Sequence, residues 1–175
     1  NDVSSVLSGF IDRLGRAGVR LVNKRPDIDI KISHYLRNAF ETATMSLMQP
    51  AEIYERAVNA LQSDDEMIKS WAKAMTMEHR DWMFLNMVRS FLRQKWDDYF
   101  NEVDVMLCPV TRIPAHPHDH TPIAERTVQF SEETLDYWGV MGPWNSLSLV
   151  SYLPATVVPA GFTPGGLPVG ISIIG

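Results

Sequence analysis

At 175 residues, 45% hydrophobic and 21% charged, the chain has the composition of a globular domain large enough to bury a core. Its net charge of −5 scatters 16 basic residues among 21 acids, which argues against the clustered basic face that nucleic acid requires. No apolar run approaches the ~20 residues that span a bilayer, so no membrane partner is expected. The charged opening has no signal-peptide pattern. A lone cysteine, Cys108, excludes an internal disulfide and suits a reducing, cytoplasmic setting.

Val3, Val6, Leu7, Phe10, Ile11 and Leu14 recur at helical spacing, with Asp2 as N-cap and Gly15 and Gly18 as stops. A short strand is expected next at Val19–Val22, then a polar loop at Asn23–Pro26. Ile28, Ile32, Tyr35, Leu36, Ala39, Phe40, Ala43 and Leu47 mark a second helix over Asp27–Met48, which Pro50 breaks. A short helix over Ala51–Leu61 precedes Ser63-Asp64-Asp65-Glu66, whose spacing matches a capping box with Ser63 at the N-cap. Apolar periodicity continues from Met67 through Trp71 to Met75. The longest helix is expected over Glu78–Phe100. Trp82, Leu85, Val88, Leu92, Trp96 and Tyr99 form its buried stripe, and Phe84, Met87 and Phe91 widen that face.

Val103–Cys108 reads as a strand stopped by Pro109, and the prolines of Thr111–Pro122 make an irregular loop. Ser131 is expected to cap a helix with Glu132 and Glu133 in its first turn. Tyr137, Trp138, Met141, Trp144 and Leu147 continue an aromatic segment that Gly139, Gly142 and Pro143 interrupt. Two charge-free, β-branched runs at Ala155–Pro159 and Val169–Ile174 flank a Gly- and Pro-rich loop, a pair of strands that needs neighbours. No linker divides the chain.

Candidate chemistry is sparse. His116, His118 and His120 alternate as imidazole ligands could, but the prolines on either side restrict convergence, so a solvated loop is preferred and no metal is assigned. Ser70-Trp71-Ala72-Lys73 matches S-x-x-K without that motif's companions and reads as helix surface. Cys108 reads as a small buried hydrophobe. The Trp138–Trp144 cluster fits either core packing or the apolar wall of a small-molecule pocket.

Two β-motifs identify a family. Asp104-Val105-Met106-Leu107-Cys108-Pro109-Val110, followed by Ala115 and His116, resembles the "D-V-L-L-x-P" strand and proline loop of the amidase signature enzymes. Leu153-Pro154-Ala155-Thr156-Val157-Val158-Pro159-Ala160-Gly161, then Gly166-Leu167-Pro168-Val169-Gly170-Ile171, resembles that family's C-terminal hairpin, with Ser172 where the family often has Gln. Arg80-Asp81-Trp82, Trp96–Phe100 and the opening from Ile11 to Val22 also fit, so the resemblance runs in order over most of the chain.

The resemblance implies an α/β fold: the C-terminal part of the amidase signature fold, with a mixed β-sheet covered by long helices, as a single partial domain over residues 1–175. It implies hydrolysis of amide bonds without a cofactor, through a lysine, a cis-serine and a nucleophilic serine. The Gly/Ser-rich stretch carrying those serines is absent from this sequence. The catalytic residues are therefore expected upstream, and the piece alone is expected to be inactive. By location in the family, Trp138, Met141, Trp144 and Asn145 are candidates for contact with a small amide substrate, with Thr111 and His116 behind them. The apolar strands Val19–Val22 and Val169–Ile174 are expected to lack some of their partners, which implies a homodimer or association with a missing N-terminal part. The rival reading is a non-catalytic module of the same fold that binds a ligand or partner through the Trp138–Trp144 region.

Overall fold

A computed structural model describes residues 2–130 and 132–175. Five helices come first: α1 (Asp2–Arg16), α2 (Ile30–Ser46), α3 (Ala51–Ala60), α4 (Glu66–Met75) and α5 (His79–Phe100). Then follow β1 (Met106–Pro109), the hairpin β2 (Thr127–Phe130) and β3 (Glu133–Asp136), two short helices α6 (Tyr137–Met141) and α7 (Pro143–Ser151), and the closing pair β4 (Ala155–Phe162) and β5 (Pro168–Ile174).

The main sheet has the order β1-β5-β4. Every ladder among the described residues is antiparallel, so the parallel pair of a mixed sheet does not occur among them. β5 lies in the centre, with Ile171 facing Pro109 on one side and Val158 on the other. The expectation that Val169–Ile174 lacks some of its partners is therefore overturned, since β5 is paired on both sides and the open edges are β1 and β4. A β4 register shift between Pro159 and Gly161 leaves Ala160 as a bulge. A bulge leaves its extra residue out of the ladder, and Arg13 Nη2 of α1 donates to the Ala160 carbonyl at 2.5 Å. α1 also packs close enough that a Cβ at Gly161 would lie 3.1 Å from Val6.

Local chemistry explains most boundaries. Gly18, at φ +88°, closes α1, and Val19 N donates to Leu14 O at 3.1 Å. Asp29 caps α2 by accepting from Lys31 N, so that helix starts three residues later than Asp27. The α4 cap is Asp65, which accepts from Met67 N and Ile68 N. Ser63 Oγ instead accepts from Asp65 N at 3.2 Å, so the expected capping box is replaced by a cap two residues on. A carboxylate at the N-cap also meets the positive end of the helix dipole.

Three other expectations fail. Val19–Val22 is an exposed, irregular segment with no ladder; β-branched residues favour a strand only where a neighbouring strand is available. The strand near Cys108 begins at Met106 and includes Pro109. Ser131 lies outside the described residues, but the Glu133 expected in the first turn of a helix instead pairs with Phe130 in a hairpin. Cross-strand pairing there outweighs the helix-start signal of two acids.

The core sits where α5 meets the sheet. Trp96, Tyr99, Met106, Cys108, Leu147 and Ile174 form one buried cluster. A second cluster, Leu36, Leu92 and Val150, joins α2, α5 and α7. On α5 only part of the expected face is buried: Leu92, Trp96 and Tyr99 are inside, whereas Phe84 is 58% and Phe91 63% exposed. Cys108 is buried, and that burial pushes its thiol up to about 11, against the opposing hydrogen bond with Ser172. A thiol reagent at pH 8 is expected to leave the native protein unlabelled and to modify Cys108 only after denaturation. Rapid native labelling would contradict this burial.

Candidate functional site

The proline loop after β1, the end of α6, the β4–β5 face and Val3 of α1 line an open cavity of about 320 Å³. Its wall includes Val110, Thr111, His116, Met141, Val157 and Val169. Thr111 stabilises the loop by donating from Oγ1 to Ile113 O at 2.6 Å. The His116 ring meets Tyr137 edge-on, with centroids 5.8 Å apart. Apolar walls with a few polar groups at one end are the usual makings of a small-molecule site.

The aromatic segment that the sequence singles out is split across a bend. Asp136 caps α6 by accepting from Gly139 N at 2.8 Å, and Pro143 starts α7 where its missing N–H costs nothing. Met141 faces the cavity. Trp138 is 42% exposed and lies under Arg37 of α2, whose Cζ is 5.6 Å from the ring centroid. Trp144 packs against the core cluster around Trp96. Asn145 is exposed, and its Nδ2 donates to Met141 O at 3.4 Å. The structure thus brings Thr111, His116 and Met141 into one wall, sets Trp138 and Asn145 outside it, and turns Trp144 inward.

A polar group that sequence reasoning missed lies beside this segment. His34 of α2 is half-buried between Ser146 of α7, 3.3 Å from Nδ1, and Asn38, 3.1 Å from Nε2. Burial, chiefly, holds its pKa below the usual histidine value; the Arg37 and Arg112 cations add to this and Asp136 opposes it. The available signal was His34 and Asn38 at i, i+4 on one helical face; their partner Ser146 is distant in sequence.

The other candidates resolve simply. Ser70 and Lys73 are both exposed on α4. The His118 and His120 rings lie 6.2 Å apart and tilted. Among the described residues, no group of three or more His, Cys, Asp or Glu side chains could hold a metal ion. None of the five lysines is buried. No described helix is long and apolar enough to cross a membrane.

Comparison with known proteins agrees with this architecture. The Amidase family profile matches residues 1–175. Indoleacetamide hydrolase of Bradyrhizobium japonicum is 25% identical over 178 residues, covering 98% of this chain and 35% of the relative. The chain thus spans about a third of that relative's length. A bacterial aryl acylamidase of the amidase signature family superposes with a TM-score of 0.68 at 16% identity, over 100% of this chain and 36% of its own. A second amidase structure gives a TM-score of 0.71 at 14% identity, over 99% and 37%. With the β1–proline-loop motif and the β4–β5 hairpin in place and a family match from end to end, the chain belongs to the amidase family.

Proposed function

We propose that these residues form the C-terminal, substrate-facing part of an enzyme that hydrolyses linear amides, water cleaving the C–N bond to give a carboxylic acid and an amine or ammonia. The family match over the whole chain carries this reading. Its Ser–cis-Ser–Lys machinery lies upstream in the same polypeptide; the exposure of all but one lysine here, and the half-exposure of Lys69, support that division. The desolvated lysine takes the nucleophile's proton and backbone N–H groups hold the oxyanion. The chain described here contributes the wall: Thr111, His116 and Met141 at the cavity, Trp138 and Asn145 on its outer side, and Trp144 as the anchor to the core.

The apolar cavity and adjoining aromatic residues support an amide with an aromatic or bulky apolar acyl group. The exposed Phe84 and Phe91 on α5, and Phe162 on β4, support contact with the rest of the polypeptide or with a second copy.

Release of ammonia from indoleacetamide by the full-length protein tests the reading. Turnover is expected in the full-length protein and none in residues 1–175 alone. Met141→Ala should lower kcat/KM about tenfold, the scale of lost apolar contact in a pocket. A full-length protein inert toward aryl and alkyl amides would overturn the proposal.

A further inference from the structure

Gly142 sits at the elbow between α6 and α7, and the His34 imidazole lies directly on it. A Cβ at Gly142 would come within 2.4 Å of the ring's Cε1. The ring is held there from both nitrogens. Ser146 Oγ has a single proton and donates it to Gly142 O at 2.7 Å. Toward His34 Nδ1 it therefore offers only lone pairs. Arg37 Nη1 donates to Asn38 Oδ1 at 3.3 Å, which turns the amide so that Asn38 Nδ2 faces His34 Nε2. The ring proton thus belongs on Nδ1, and Nε2 accepts. The relay runs from Arg37 through Asn38, His34 and Ser146 to the elbow carbonyl.

The same elbow carries the candidate substrate wall. Gly142 N donates to Trp138 O at 2.8 Å, Met141 is the preceding residue, and Arg37 covers the Trp138 ring. We propose that neutral His34 is a positioning residue that locks the α6–α7 elbow, fixing Trp138 and Met141, and that protonation of the ring releases them. A second ring proton on Nε2 would set N–H against the N–H of Asn38 and break the relay. The charged groups facing the ring are Arg37 on its own helix, Arg112 from the proline loop and Asp136 at the start of α6. Burial and the two cations disfavour the imidazolium. Since the folded value lies below the unfolded one, the stability linked to His34 is complete above about pH 6.5 and is lost as pH falls through the folded value. The effect on catalysis, though not the relay itself, rests on the proposed amidase reading.

The test is an NMR titration of the full-length protein carrying 15N-histidine and 5-fluorotryptophan. His34 is expected to be neutral and protonated on Nδ1 at about pH 6.5, where an unperturbed histidine is half charged. The fluorine resonance of Trp138, assigned by Trp138→Phe, should shift with the same midpoint as His34. That midpoint should vanish in His34→Asn; Ser146→Ala, which removes the Nδ1 acceptor, should raise the Nε2–H tautomer. If the amidase reading holds, KM for indoleacetamide rises below the midpoint of the wild-type protein more than kcat falls. A wild-type His34 carrying its proton on Nε2, or a Trp138 resonance indifferent to the His34 titration, overturns the proposal. A full-length protein that hydrolyses no amide would remove the amidase reading while the NMR result still decides the relay.

Discussion

Replacing Trp96 with Ala is expected to destabilise the protein by about 3–5 kcal/mol, the range for truncating a fully buried aromatic. Trp96 is wholly inaccessible. It stacks on Phe100 with centroids 5.4 Å apart and an interplanar angle of 16°, and meets Tyr99 edge-on at 5.8 Å. Its cluster brings together α5, β1, α7 and β5, so the cavity left by Ala would loosen the helical layer from the sheet at their junction. Among the described residues the indole Nε1 has no hydrogen-bond partner, so packing dominates the loss. Trp96→Phe, which keeps a ring in the stack, should cost less than half as much. Urea denaturation of the full-length protein checks this through a lower midpoint at unchanged slope. A loss under about 1 kcal/mol for Trp96→Ala would contradict the central place given to this side chain.

Gly142→Ala is the second large effect, and its sign is informative. Gly142 has φ −85° and ψ −38°, a conformation any residue adopts. Because Ala can adopt this conformation, its smaller unfolded-state entropy alone would stabilise by about 0.4–1 kcal/mol. The added methyl, however, meets His34 Cε1 at 2.4 Å and Nδ1 at 2.9 Å, and Trp138 O at 2.8 Å. The imidazole cannot swing away without breaking its bonds to Ser146 and Asn38. Overpacking of this kind costs about 1–3 kcal/mol, so net destabilisation is expected. The part of the penalty due to the ring should disappear in a His34→Ala background, while the part set by Trp138 O remains. Thermal unfolding of the two single variants and the double variant forms the cycle that reads this coupling. Additive effects would show that the ring is not what excludes a side chain at the elbow.

What the sequence made legible follows from how local each signal is. The α5 stripe could be read because Trp82, Leu85, Val88, Leu92, Trp96 and Tyr99 repeat at helical spacing along a helix of 22 residues. The β4–β5 pair could be read because β-branched runs flank a turn, which Thr163 closes by donating its N–H to Leu167 O at 2.8 Å. The exposed half of α5 was misread because periodicity marks an apolar face without saying what covers it. The β2–β3 hairpin was missed because Glu132 and Glu133 imitate a helix start, while the deciding partner, Phe130, lies across a turn. His34 was invisible for a different reason. Its role depends on the absence of a Cβ at Gly142 and on a hydroxyl at Ser146, both more than a hundred residues away. No spacing rule connects them before the chain is folded.

The central claim is that these residues shape the substrate site of an amidase whose nucleophile lies elsewhere in the polypeptide. Mapping the serine modified when the full-length protein reacts with a fluorophosphonate tests it most directly. Loss of amide hydrolysis is expected together with a single adduct on a serine outside residues 1–175. An inactivating adduct on Ser70, Ser146 or any other serine within these 175 residues would contradict it.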